Sequence, residues 1–222
     1  MIVAIGDWVL RMSCHELVRL QAMGFPNLRM SVNVSQIQFR HPEFLDKLNA
    51  ALLDTGINPK CLELEITESV AMEDPSFMLE TLHMVRELGI SVAIDDFGTG
   101  YSSLTYLQRF AIDYIKIDQS FVRNLRAGST DLALCKALIV LAHELGMKVV
   151  AEGVETLQHA ATLLHLGCGE KFTPAQGLHL GPHGGLRGPG DDVLPDGILR
   201  DAAGLQLHTL VEIACVHACQ TL

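Results

Sequence analysis

The fold is decided by the stretch Ser91-Val-Ala-Ile-Asp-Asp-Phe-Gly-Thr-Gly-Tyr-Ser-Ser103. A β-branched apolar run ends in two adjacent carboxylates, Asp95 and Asp96, and a glycine-flanked loop follows at once. Gly-Thr-Gly lacks the Gly-Lys-Ser/Thr of a phosphate-binding P-loop, so we interpret it as a loop hinged beside a metal site. The stretch therefore predicts a buried strand that delivers carboxylates to its C-terminal end.

Similar strands recur along the chain and alternate with amphipathic stretches. This alternation, with connections long enough for crossovers, predicts a parallel sheet with helices between the strands. Gly56, Gly89 and Gly146 each follow a helical run, as glycines at helix C-termini do. The predicted strands are 28–35, 62–69, 91–97, 114–118 and 148–154, and the predicted helices are 42–55, 75–89, 102–110, 131–146 and 156–166.

Polar residues at the C-terminal ends of the strands distinguish a closed barrel from an open sheet. An open doubly wound sheet places such groups beside its switch point, whereas all strands of a barrel end at one mouth. We therefore predict an α/β fold, a parallel (β/α) barrel of the TIM type. The polar residues are Asn33, Glu65, Glu68, Asp95, Asp96, Lys116, Asp118, Glu152 and Glu155.

The amino-acid composition indicates which classes of ligand the protein is suited to bind and in which compartment it is expected. The 222 residues carry a net charge of −10, which argues against broad electrostatic binding to nucleic-acid polymers or anionic lipid. The six cysteines are scattered without a Cys-x-x-Cys pair, which indicates reduced thiols in a cytoplasmic protein. No apolar run reaches the ~18 residues of a membrane span, so we expect no membrane segment.

Residues after 176 differ in composition from the rest. Seven glycines and three prolines between Gly177 and Gly197 predict a loop or a disordered stretch. An amphipathic pattern returns after residue 198 and predicts a C-terminal helix. We therefore divide the chain into a domain at 1–180 and a divergent tail at 181–222.

Carboxylates that converge on one barrel mouth need a cation, because they would otherwise repel one another. Carboxylate and amide oxygens form a hard ligand set that suits Mg²⁺ or Mn²⁺ better than zinc. Lys116 at the same mouth would hold a water or a phosphate oxygen. The residues together predict metal-assisted hydrolysis of a phosphodiester, although each carboxylate taken alone also fits a buried ion pair or a helix cap.

Five motifs in series resemble the EAL domain family. The resemblance covers about residues 2–169 and implies a Mg²⁺- or Mn²⁺-dependent TIM barrel of bacterial signalling that hydrolyses cyclic di-GMP to the linear dinucleotide pGpG. The motifs are Ser31-Val-Asn-Val-Ser35, Glu63-Leu-Glu-Ile-Thr-Glu-Ser69, Asp95–Ser103, Lys116-Ile-Asp118 and Glu152-Gly-Val-Glu155.

The resemblance also implies a role for each matching residue. The implied metal ligands are Asn33, Glu65, Asp95, Asp96 and Glu152. The implied catalytic residues are Glu152, Lys116 and Asp118. Glu68 and Glu155 are implied to stabilise the loop at 96–103, a region that the family also uses for homodimers. Gln176 is implied to bind substrate.

Two departures from the family pattern bear on activity. The Glu-Ala-Leu segment that names the family is not among the 222 residues, and the end of the domain matches poorly. The resemblance therefore implies an incomplete barrel of the TIM type, with its first strand missing and its last strand doubtful. We also expect a missing carboxylate ligand, weaker metal binding and impaired hydrolysis. Two alternatives stay open: a non-catalytic EAL module that binds cyclic di-GMP or a partner protein, and an unrelated metal-dependent TIM-barrel hydrolase or lyase.

Overall fold

The computed structural model of the chain describes residues 1–100 and 104–168, and the backbone of short strands at 171–174, 179–180 and 186–187. The described residues divide into two units, one of residues 1–95 with 100–113 and one of residues 96–99 with those from 114 onward. Each unit contains parallel strands that alternate with helices, as the sequence predicts. Among the described residues, no helix combines the length and the apolar character that a bilayer crossing needs.

The first unit contains three parallel strands, β1 to β3, which are neighbours in that order. Both faces of β1 and β2 are buried, which explains why these strands combine aliphatic residues with only short or paired polar ones. The elements are α1 (Ile2–Ala22), β1 (Met30–Asn33), α2 (Gln36–Phe39), α3 (Phe44–Thr55), β2 (Leu62–Thr67), α4 (Glu68–Glu73), α5 (Pro75–Glu87), β3 (Ser91–Phe97) and α6 (Leu104–Leu107).

The second unit contains β4, β5 and β6, again parallel and in that order. A separate antiparallel pair, β7 with β8, follows them. The elements are β4 (Tyr114–Ile117), α7 (Gln119–Val122), α8 (Thr130–Glu144), β5 (Lys148–Val154), α9 (Leu157–His165), β6 (Lys171–Pro174), β7 (His179–Leu180) and β8 (Leu186–Arg187).

Local sequence signals set the helix boundaries. Ser129 accepts a hydrogen bond from the Leu132 N–H at the start of α8, and Thr156 does the same for His159 before α9, so both act as N-caps. At the end of α3, Gly56 has a φ of 67°, a backbone that favours glycine at a helix C-terminus.

The five predicted strands and the four longer predicted helices are confirmed, with boundaries that move by a few residues, and the short helix predicted at 102–110 contains α6. The short helices α2, α4 and α7 were not predicted, and three further features were missed. Helix α1 lies before the first predicted element, and it buries Val9, Leu10, Cys14 and Leu17 along one stripe. Strand β6 occupies residues that we did not predict as a strand, and the β7–β8 pair falls in the predicted glycine-rich loop. Residues 188–222, including the predicted C-terminal helix, lie outside the described part of the chain.

Candidate active site

In the first unit, two of the predicted metal ligands are register partners. Asn33 at the end of β1 lies opposite Glu65 in β2, and the Val34 N–H donates to the Glu65 carbonyl over 2.9 Å. Glu65 is 1% exposed, whereas Asn33 is exposed. A third predicted ligand, Asp95, is the register partner of Thr67 near the end of β3.

The carboxylates of Asp95 and Asp96 follow one another in β3. Consecutive side chains of a regular strand point to opposite faces, but Asp96 has a φ of 54°, in the left-handed region. This backbone turns the chain out of the regular strand at Asp96. In the second unit, carboxylate oxygens of Asp96 and Glu152 lie within 4.8 Å of each other. We call these two residues, with Asp95, the neighbour of Asp96 in the chain, the carboxylate cluster.

In the second unit, Lys116 of β4 and Glu152 of β5 form a close ion pair. The Lys116 Nζ lies 2.6 Å from the Glu152 Oε1, and the two side chains are 2% and 18% exposed. A buried lysine keeps its charge only with such a partner. The structure therefore places the ammonium group of Lys116 against the Glu152 carboxylate.

The neighbours of Glu152 in the sequence restrict its backbone. Gly153 has a φ of 66°, and a Cβ there would lie 2.5 Å from the Gln119 Cβ. Only glycine fits this position without a shift of its neighbours. Glu155 is partly exposed and forms an ion pair with Arg123, with 3.6 Å between the Arg123 Nε and the Glu155 Oε1.

Two further predicted residues make hydrogen bonds to backbone. Asp118 caps α7, because its Oδ1 accepts from the Ser120 N–H over 3.0 Å. Glu68, which is 2% exposed, accepts from the Gly100 N–H over 3.2 Å. Glu68 therefore contacts the loop that follows β3, and its loop-stabilising role stays a prediction. Residues 101–103 of that loop, and Gln176, lie outside the described residues.

Sequence reasoning did not single out a buried polar cluster in the first unit. Ser31 donates to the Glu63 Oε1 over 3.1 Å, and the Arg29 Nη2 lies 3.4 Å from the Glu63 Oε2. Arg29 also donates to the Ser91 Oγ over 2.8 Å. The one available signal was Glu63, a carboxylate at the start of a strand that is buried over most of its length.

Burial disfavours the reactive thiolate form of three of the described cysteines. Burial raises the pKa of the Cys14 and Cys135 thiols to about 11 and that of the Cys168 thiol to about 12. The four described cysteines, these three and Cys61, are all free thiols. The reduced state expected for all six cysteines stays a prediction.

The donor atoms of the carboxylate cluster fit a hard divalent cation. Asp95, Asp96 and Glu152 each offer a carboxylate oxygen, and carboxylates are the ligands that Mg²⁺, Mn²⁺ and Ca²⁺ prefer. Asp95 and Glu152 are half-buried, which limits the water available to screen their charges. The residues present therefore fit such an ion.

Comparison with known proteins identifies the family. A family model described as an EAL domain matches residues 1–182. The chain belongs to the EAL domain family. This EAL domain is 42% identical over 168 residues to the cyclic di-GMP phosphodiesterase NbdA of Pseudomonas aeruginosa, an alignment that covers 76% of this chain. It spans 22% of the length of that relative.

Solved EAL structures resemble this chain closely. The PaMucR phosphodiesterase in complex with c-di-GMP is 41% identical with a TM-score of 0.72, over 75% of this chain and 68% of that one. Klebsiella pneumoniae BlrP1, solved with manganese and cyclic di-GMP, is 30% identical with a TM-score of 0.64, over 73% of this chain and 42% of that one. These likenesses confirm the predicted fold class, an incomplete parallel barrel of the TIM type.

Proposed function

We propose that this EAL domain hydrolyses cyclic di-GMP to pGpG with the help of Mg²⁺ or Mn²⁺. The observation that carries the proposal is the ion pair of almost fully buried Lys116 with Glu152, whose carboxylate lies within 4.8 Å of that of Asp96. Family membership supports the choice of substrate, because the similar protein NbdA is named a cyclic di-GMP phosphodiesterase.

Asp95, Asp96 and Glu152 would hold the cation, and Asn33 and Glu65 are proposed as further ligands, as the resemblance to the family implies. When bound, the ion supplies Lewis acidity at a phosphoryl oxygen and offsets the charge that develops there. The cluster of carboxylates repels the dinucleotide phosphates in the absence of a cation. The proposal therefore requires the ion for substrate binding as well as for hydrolysis.

Lys116 is proposed to bind a phosphate oxygen or the attacking water. Its ammonium is almost fully buried, so its field is only weakly screened and acts strongly on a nearby anionic oxygen. The contact with Glu152 fixes the direction in which the long side chain points. Lys116 therefore supplies a positioned positive charge in a chain whose net charge is −10.

Asp118 and Glu152 are proposed to accept protons and orient the attacking water. The bond from the Ser120 N–H fixes one oxygen of the Asp118 carboxylate, which limits the rotation of the group. A fixed carboxylate presents its second oxygen in a constant direction, and this favours proton transfer from a bound water.

The test is turnover of cyclic di-GMP to pGpG by the 222-residue chain in excess Mn²⁺, followed by chromatography of the nucleotides. Glu152→Gln removes the carboxylate charge, and exposed Glu144 offers a matched control, Glu144→Gln. We expect slow turnover, because one carboxylate ligand of the family is missing, and we expect the first substitution to abolish it and the second to leave it intact. Binding of the dinucleotide without turnover would instead assign the chain to the non-catalytic EAL modules, and the absence of both would contradict the proposal.

A further inference from the structure

A row of polar side chains crosses the first unit one layer before Asn33 and Glu65. Ser31 is the register partner of Glu63, and Glu63 is the register partner of Ser91. This row precedes Asn33 and Glu65 by two residues on each strand, which is about 7 Å along the strand direction. The two rows therefore lie on the same faces of β1 and β2.

Hydrogen bonds and an ion pair connect the polar row across all three strands. Ser31 donates to one oxygen of Glu63, and the Arg29 guanidinium lies against the other oxygen. The same guanidinium donates to Ser91 over 2.8 Å. Glu63 is 1% exposed, so its charge depends on these partners.

The aliphatic pattern of the strands does not fix their register by itself. A slip of one residue would move every side chain to the opposite face, but a slip of two residues preserves both faces. Strand β2 shows this well, because Leu62, Leu64 and Ile66 alternate with polar residues and are nearly equivalent in size. A slip of two residues would nevertheless separate Asn33 from Glu65.

We propose that Arg29 and Glu63 are positioning residues that select this register. In a register shifted by two residues, Glu63 would no longer contact Ser31, and the distance between Glu63 and Arg29 would change. The buried carboxylate of Glu63 would then lack the partners that offset its loss of hydration. The ion pair thereby favours the pairing that sets Asn33 beside Glu65. The inference rests on the proposed function only in the claim that these two residues are metal ligands.

The first test needs neither metal nor substrate. The Val34 N–H reports the register, because it donates to the Glu65 carbonyl, and the Val85 amide inside α5 reports the stability of the same unit. Amide exchange measured by NMR gives the protection of each. We expect Arg29→Met to lower the ratio of the Val34 protection factor to the Val85 protection factor by about tenfold. In this variant the β1–β2 pair would open locally, without unfolding of the whole unit, so the Val34 amide would exchange faster than the Val85 amide.

A matched control separates register from stability. Leu48 is fully buried in α3 and belongs to the same unit, so Leu48→Ala destabilises the unit without touching the polar row. We expect this variant to lower both protections alike and to leave their ratio within about twofold of the wild-type value. Arg29→Lys retains the charge and should keep most of the ratio.

Two outcomes would overturn the inference. Equal loss of protection at Val34 and Val85 in Arg29→Met would show that the ion pair contributes only general stability. If that variant does not fold, Glu63→Gln replaces it, and an unchanged ratio there would have the same meaning. Calorimetry with Mn²⁺ then tests the link to the site: wild-type chain without Mn²⁺ binding would count against the proposed function and leave the exchange result valid.

Discussion

Lys116 reaches along the sheet to Glu152 across neighbouring strands. The register partner of Lys116 is Val150, two residues before Glu152, yet the Lys116 Nζ lies 2.6 Å from the Glu152 Oε1. The long side chain therefore runs parallel to the strands, towards their C-terminal ends. This orientation brings a buried positive charge to the carboxylate cluster.

The first prediction concerns this charge. Lys116→Met should reduce turnover of cyclic di-GMP by about 100-fold or more, because the substitution removes a positioned cation from a desolvated site. Lys148 is exposed at the start of β5, and Lys148→Met should leave turnover unchanged. Comparable rates for the two variants would show that Lys116 serves only to neutralise Glu152.

The second prediction concerns metal binding. Asp95→Asn should weaken Mn²⁺ binding by about tenfold or more, since the affinity of a hard cation depends on the number of charged ligands. Asp54 is an exposed carboxylate of the first unit, and Asp54→Asn should titrate like the wild-type chain in calorimetry. Superimposable titrations for all three proteins would place the ion elsewhere.

The third prediction compares two glycines with left-handed backbones. At Gly146, φ is 76° and no atom lies within 4 Å of an added Cβ, whereas at Gly153 an added Cβ meets Gln119. Gly146→Ala should therefore cost about 1–2 kcal/mol in the free energy of unfolding, and Gly153→Ala about 1–3 kcal/mol more from the clash. Urea denaturation measures both, and equal losses would contradict the close approach.

The fourth prediction concerns the loop that follows β3. Glu68→Gln should replace a charge-assisted hydrogen bond to the Gly100 N–H with a weaker neutral one, and amide exchange at Gly100 should become about tenfold faster. Glu80 is exposed on α5 in the same unit, so Glu80→Gln should leave that exchange rate unchanged. Unchanged exchange in Glu68→Gln would show that the loop does not depend on this charge.

The fifth prediction concerns the thiols. Because burial raises the pKa of Cys14 to about 11 and that of Cys168 to about 12, both stay protonated at pH 8, and only the thiolate is alkylated. Iodoacetamide should modify half-buried Cys61 much faster than these two in the native protein, as peptide mass mapping would show. Urea should remove the difference, and rapid native modification of Cys168 would contradict its burial.

The sequence predicted the strands and the carboxylates at their ends because both depend on local patterns. A near-continuous apolar run indicates a strand buried on both faces, and a carboxylate tolerated at its end requires a polar surrounding. The position of Asp95 and Asp96, directly after an apolar run, predicted such a strand end. The same reasoning placed Lys116 at a strand end like those of the carboxylates, but its direct contact with Glu152 depends on side-chain geometry and was not predicted.

Contacts between residues far apart in the sequence could not be predicted from local patterns. Arg29 is 34 residues from Glu63 and 62 residues from Ser91, so no local pattern connects them. Strand β6 was missed for a related reason, because four residues that end in Pro174 carry a weak strand signal and become a strand only by pairing with β5.

The left-handed backbone at Asp96 restricts which amino acids can replace this residue. Glycine, asparagine, aspartate and histidine are the types that occupy this region most readily, and aspartate alone among them carries a carboxylate. Most single substitutions at this position would therefore sacrifice either the backbone conformation or the charge. A glutamate, the usual conservative substitution, would keep the charge but strain the backbone. Almost no single substitution at this position would therefore leave both the conformation and the charge unchanged.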